Sequence, residues 1–136
     1  RSDIVAHLLV RVFGTMIHAA ADPKKAIIVL GEAERELAQM RLCEPCSMGF
    51  LTSAVAATAR AGELDRARSF LAEAERIAGM WQGGPWTGAV WEARGILRQV
   101  EGEVAQARAM FREAARAFTL AGNRADAQRC IEAAAP

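Results

Sequence analysis

The feature that most constrains this 136-residue chain is a ten-residue pattern that occurs three times. The pattern, A-x-x-x-[LF]-x-E-A-x-R, occupies residues 26–35, 67–76 and 107–116, so that its copies lie 41 and 40 residues apart. Five fixed positions repeated in phase indicate an internal structural repeat. A period of about 40 residues is typical of proteins that stack small helical units.

Each copy of the pattern has the periodicity of a helix. In the second copy the apolar residues follow at steps of three and four, which places them on one face: Leu64, Ala67, Leu71, Ala74 and Ala78. The glutamate and arginine that recur three residues apart, such as Glu73 and Arg76, point away from that face. Such pairs contribute only a few tenths of a kcal/mol, so we interpret them as solvated surface rather than as a catalytic site.

A second apolar-periodic stretch precedes each pattern, so each unit is predicted to be a pair of antiparallel helices. These stretches contain Ile4, Leu8, Val12 and Met16 in the first unit, Phe50, Leu51, Ala54, Val55 and Thr58 in the second, and Val90, Ala93, Leu97 and Val100 in the third. Turns are predicted at Asp22-Pro23, Gly62, Gly102 and Gly122. The chain is thus predicted to be one all-α domain with units at about 1–41, 47–80 and 86–121 and a capping helix at 123–135.

Composition agrees with packed helices and excludes several classes of function. The chain is 52% hydrophobic, lacks tyrosine, and carries 17 basic against 16 acidic residues, for a net charge of +1. This balance argues against direct nucleic-acid binding. No apolar run reaches the roughly 18 residues that would span a bilayer, and the odd number of cysteines favours a reducing compartment. We therefore expect a soluble, cytoplasmic protein.

The repeated positions resemble those of the tetratricopeptide repeat (TPR) family. In the third unit the family's tryptophan, glycine, alanine and phenylalanine positions are matched by Trp91, Gly95, Gly102, Ala107, Phe111 and Ala114. The chain departs from the family in lacking the usual tyrosines and closing prolines, and in its longer period than about 34 residues. The long, alanine-rich units also resemble the C-terminal repeat regions of large bacterial transcription regulators of the LuxR/MalT or AfsR type. The resemblance implies a right-handed superhelix that binds protein.

In this family the first helix of each pair lines a concave groove. The matching polar and apolar positions are Arg11, Thr15 and His18 in the first unit, Thr52, Ala56 and Arg60 in the second, and Glu92, Ile96 and Gln99 in the third. We expect this mixed, mildly basic lining to bind a peptide or a partner domain, including another domain of the same regulator. The alternative is a small-molecule sensor in which the loop with Trp81 and Trp86 closes a pocket over an inducer.

Cys43 and Cys46 have the C-x-x-C spacing of zinc and redox sites, but the sequence offers them few companions. His7 and His18 lie three helical turns apart, roughly 16 Å, and cannot share one ion. We therefore predict no metal and no cofactor, with Cys43 and Cys46 as two buried or half-buried thiols where Pro45 opens a helix. Since no nucleophile or metalloprotease motif is present either, we predict that the chain is not an enzyme.

The start of the sequence suggests that further repeats precede it in a longer protein. Because the sequence starts at Arg1 and is amphipathic almost immediately, we expect it to be a piece of a longer protein. A repeat array cut at this point would leave Ile4, Leu8 and Leu9 exposed. Such an apolar end could pair two copies of the chain as a homodimer.

Overall fold

The computed structural model describes residues 3–81 and 84–136. Over these residues all regular secondary structure is helical, without a strand, so the all-α prediction is confirmed. The helices are α1 (Asp3–Ala19), α2 (Pro23–Leu37), α3 (Met48–Arg60), α4 (Leu64–Gly79), α5 (Thr87–Val100), α6 (Val104–Leu120) and α7 (Arg124–Ala134), with a 3₁₀ helix at Pro45–Ser47. None of the helices in these ranges combines the length and the apolar character needed to cross a bilayer.

Consecutive helices pack together as pairs. Helix α1 packs against α2, α3 against α4, and α5 against α6. The first helices of the pairs also contact one another, because α3 lies between α1 and α5. The seventh helix packs against α6. The result is a continuous row of α1, α3 and α5, with one further helix at the α6 end.

The small and large residues of the repeated pattern form the core between the helices. All nine are at most 9% exposed: Ala26, Leu30 and Ala33 on α2, Ala67, Leu71 and Ala74 on α4, and Ala107, Phe111 and Ala114 on α6. The polar members of the pattern lie at the surface, where Arg76 binds Glu73 at 2.6 Å and Arg116 binds Glu113 at 3.1 Å. The repeat is therefore a packing signature, with alanine where two helices approach closely.

Three turns use glycine in the same way. Gly62, Gly102 and Gly122 have φ angles of 82°, 85° and 80°, in the left-handed region that favours glycine. In each turn the N–H of the following residue donates to a carbonyl of the preceding helix, as from Glu63 to Thr58 at 2.8 Å. The start of α2 is different, because the Asp22 side chain accepts from the N–H of Lys24 at 2.9 Å. The predicted turns are confirmed.

The buried face of α1 is not the stripe that its four-residue periodicity suggests. Ile4, Leu8 and Val12 are 72%, 58% and 52% exposed, whereas Val10 and Ile17 are buried. Since α1 is apolar around much of its circumference, periodicity alone does not choose a face. The choice follows from Gly14, whose missing side chain lets the backbone of α3 approach. Of the three residues expected to be exposed at the start of the chain, Ile4 and Leu8 are exposed and Leu9 is half-buried.

Candidate binding groove

A groove of about 740 Å³ runs along the row of first helices. Of the nine positions matched to the concave face, eight line it: Arg11, Thr15, His18, Thr52, Ala56, Arg60, Glu92 and Ile96. Gln99 does not belong to the lining. It lies exposed in the last turn of α5.

The floor of the groove is built from residues with little or no side chain. These residues are Ala20, Gly49, Ala56, Ala57, Ala89 and Ala93. The hydroxyls of Thr15 and Thr52 donate to carbonyls of their own helices, those of Arg11 at 3.1 Å and Met48 at 2.9 Å. Because their protons are used in this way, the two hydroxyl oxygens remain as hydrogen-bond acceptors. The floor therefore allows an occupant's backbone to approach closely.

The α5 and α7 side of the groove carries a closed ion-pair network. Arg129 of α7 donates from Nε and a terminal nitrogen to the two carboxylate oxygens of Glu92, at 2.6 and 2.7 Å. It also binds Asp126 at 2.8 Å. Hydrogen bonding to Glu92 raises the pKa of Arg129 above its already high value, so the guanidinium stays charged. Glu92, the acidic residue predicted for the groove, is thus already paired within its own chain, and the cluster of one arginine and two carboxylates carries a net charge of −1.

The α1 and α3 side of the groove has the opposite character. Arg11 and Arg60 are exposed there, and neither forms an ion pair with any carboxylate in residues 3–81 or 84–136 that the structure describes. His18 is exposed beside them. Positive charge on this side is therefore available to an occupant. Sequence reasoning missed Arg129 and Asp126 because α7 was treated only as a cap, and no local pattern links Arg129 to Glu92, 37 residues earlier.

The two tryptophans of the loop before α5 take different positions. Trp86 is half-buried and lines the groove. Trp81 is 51% exposed and is absent from the groove lining, although its ring meets that of Trp86 edge to face, with centroids 6.5 Å apart. The central loop residues, Gln82 and Gly83, lie outside the described residues. Of the two candidate ligand residues, only Trp86 can touch an occupant of the groove in this arrangement.

Cys43 and Cys46 are half-buried, and Pro45 begins the 3₁₀ helix before α3, as predicted. Their hydrogen bond, together with burial, raises the pKa of the Cys46 thiol. The structure adds a neighbour that sequence reasoning set aside: α1 packs against the 3₁₀ helix and brings in His7. A ring nitrogen of His7 and the two sulfurs lie within 4.8 Å of one another. Cys46 also lines the groove.

The third cysteine is expected to be unreactive in the folded protein. Cys130 has no exposed surface, and burial raises the pKa of its thiol to about 12, so thiolate is almost absent at neutral pH. Iodoacetamide should therefore modify Cys43 and Cys46 in native protein and Cys130 only after unfolding in urea. Peptide mapping by mass spectrometry measures each site. Modification of native Cys130 as fast as Cys43 would contradict this expectation.

The chain was compared with protein-family models, with curated proteins and with solved structures, and none of the three contains a match. The resemblance to tetratricopeptide repeats therefore depends on the repeated residues themselves.

Proposed function

We propose that this chain is a non-enzymatic interaction module whose groove binds a carboxylate-rich peptide or an acidic segment of a partner domain. The observation that carries the proposal is the distribution of charge in the groove. Arg11 and Arg60 lack a carboxylate partner among the described residues, whereas Glu92 and Asp126 are both bound by Arg129. An acidic occupant would pair with the arginines of the α1 and α3 side without disturbing the Glu92–Arg129 ion pair between α5 and α7 or the Asp126–Arg129 pair within α7.

The floor of the groove supports a peptide as the occupant. Its glycine and alanine residues allow a backbone to lie close to α1, α3 and α5. The hydroxyl oxygens of Thr15 and Thr52 can accept hydrogen bonds from the N–H groups of that backbone, because their own protons are donated within the helices. Arg11 and Arg60 would then bind acidic side chains. Backbone contacts would supply affinity and the arginines would supply selectivity.

The wider setting of the module follows from the resemblance. We propose that the helix pairs wind into a right-handed superhelix of the tetratricopeptide type, with the groove as its concave face. The buried alanines of the repeat and the continuous row of α1, α3 and α5 support this arrangement. We further propose that the module is the repeat region of a cytoplasmic bacterial transcription regulator. The acidic segment would then belong to another domain of that regulator or to a signalling partner.

Selection from a displayed library of random peptides tests the proposed occupant. We expect the peptides retained by the wild-type chain to be enriched in aspartate and glutamate, and their binding to weaken as salt is raised, because exposed charges are screened within about 10 Å at 0.1 M salt. Fluorescence anisotropy of a labelled, enriched peptide gives the affinity. Enrichment of neutral or basic peptides would count against the proposal.

Charge reversal locates the binding surface. Arg11→Glu and Arg60→Glu should each weaken binding of an enriched acidic peptide about tenfold, close to 1.4 kcal/mol. The matched controls are Arg112→Glu and Arg124→Glu, which change the net charge equally at exposed positions outside the groove. They should leave the affinity within about twofold. Equal losses of affinity in the two groove variants and the two control variants would show that binding depends on the net charge of the chain and not on the groove.

One observation favours the small-molecule alternative. A volume of about 740 Å³ falls within the range of small-molecule pockets, roughly 300–1,000 Å³, and the Trp86 indole belongs to its lining. In a variant with Trp81→Phe and Trp91→Phe, all tryptophan fluorescence would come from Trp86. Quenching of that emission by a metabolite, with loss of the acidic-peptide preference, would favour the sensor over the peptide module.

A further inference from the structure

We propose that His7, Cys43 and Cys46 form a zinc site with three protein ligands. These residues come from three places in the fold: α1, the linker after α2, and the 3₁₀ helix before α3. Their ligand atoms nevertheless lie within 4.8 Å of one another. The cluster adjoins the proposed peptide groove, since Cys46 and Arg11 line the same cavity, but zinc binding at these three residues does not depend on an acidic occupant.

The separations of the three ligand atoms are close to those found around a bound zinc ion. Zinc in a tetrahedral site lies about 2.3 Å from cysteine sulfur and about 2.0–2.1 Å from histidine nitrogen, so two such ligand atoms are about 3.5–3.8 Å apart. Atoms already within 4.8 Å of one another need to close by only about 1 Å. Side-chain rotation at half-buried positions can supply a shift of this size.

The chemistry of the three donors selects zinc. Two thiolates and a neutral imidazole are borderline-soft ligands, and C-x-x-C is the commonest spacing with which cysteines bind this ion. Binding Zn²⁺ displaces the two thiol protons, so that the dication, two thiolates and imidazole have no net charge. The three residues are all half-buried, which leaves a path for the ion to enter.

A bound ion would tie together parts of the chain that are distant in sequence. It would fasten α1 to the linker between α2 and α3, and it would stand beside the groove, because Cys46 also lines that cavity. No fourth side chain of a ligating type joins the cluster among the residues that the structure describes. Water would therefore fill the fourth coordination position, as in zinc sites with three protein ligands.

Titration of reduced, metal-free protein with Co²⁺ and then Zn²⁺ tests this site. We expect one Co²⁺ per chain, with the visible bands of tetrahedral cobalt and a thiolate-to-cobalt charge-transfer band, both lost when Zn²⁺ displaces the cobalt. His7→Ala, Cys43→Ser and Cys46→Ser should each weaken Zn²⁺ binding at least about 100-fold, since even residues that only orient a ligand contribute 10- to 100-fold. Zinc should also raise the Tm of the wild-type chain.

Matched controls use the same residue types outside the cluster. His18→Ala and Cys130→Ser should keep the cobalt spectrum and the zinc affinity, and circular dichroism confirms that each variant is folded. Absence of a thiolate-to-cobalt band in the reduced wild-type chain would overturn the proposal. So would a zinc affinity that His7→Ala leaves unchanged, because the ion would then be held by the cysteine pair alone.

Discussion

Phe111→Ala is expected to lower the free energy of unfolding by about 3–5 kcal/mol. Phe111 of α6 is 3% exposed. It belongs to one buried cluster with Val55 of α3 and Leu97 of α5, so this cluster joins three helices. The ring also fills the space left by Gly95, where an added Cβ would stand 2.9 Å from it. Since a domain of this size is stable by only about 5–15 kcal/mol, urea denaturation followed by circular dichroism should show a large shift.

The control for this substitution is Leu120→Ala at the end of the same helix. Leu120 is 85% exposed, so its truncation should change stability by no more than about 0.5 kcal/mol. Phe111→Leu combined with Gly95→Ala adds a sharper test, because the smaller side chain makes room for the new methyl group. The double variant should be more stable than the sum of the single effects predicts, by about 0.5–3 kcal/mol. Simple additivity would mean that the two residues do not pack as described.

Gly14→Ala is expected to lower the free energy of unfolding by about 1–3 kcal/mol. A Cβ at Gly14 would stand 2.8 Å from the backbone nitrogen of Phe50 and 3.0 Å from the carbonyl carbon of Gly49. Because these obstacles are backbone atoms of α3, the methyl group can be accommodated only by moving α1 away from α3. Thermal and urea unfolding should both report the loss.

Gly49→Ala provides a control at the same helix crossing with the opposite expected sign. Gly49 lies in the first turn of α3, and nothing would lie within 4 Å of a Cβ added there. Alanine should therefore raise the free energy of unfolding by up to about 1 kcal/mol through its higher helix propensity. If both glycine variants are destabilised equally, close approach of α1 and α3 is not the reason for Gly14.

The repeat made much of this fold predictable because its recurring small and large positions are the residues that pack between the helices. A small residue at Ala67 and a large one at Leu71 recur wherever a second helix of a pair meets its neighbours, and Gly62 and Gly102 mark where the preceding helix ends. The buried face of α1 could not be predicted in the same way. Its apolar residues surround the helix, and the contact at Gly14 that chooses between faces depends on the position of α3.

The groove lining was predictable to the extent that it follows the first helices of the pairs. Thr52 and Arg60 could be assigned to it because they match positions that line the concave groove in the family that the chain resembles, and both do line this groove. The ion pair from Arg129 to Glu92 and the meeting of His7 with the cysteine pair could not, since both join elements far apart in sequence. Local periodicity carries no information about which helix lies opposite a given side chain, and ion pairs between helices depend on that arrangement.

The alanine and glycine floor of the groove also lowers the side-chain conformational entropy that this protein would lose on binding. Ala56, Ala57, Ala89 and Ala93 have no rotamers to lose when an occupant covers them. The longer exposed side chains of the lining, Arg11, His18 and Arg60, would exchange conformational freedom for contact, at about 0.5–1.5 kcal/mol for each immobilised side chain. The surface can therefore bind a chain with little ordering of its own, and most of the entropic cost of association falls on the partner.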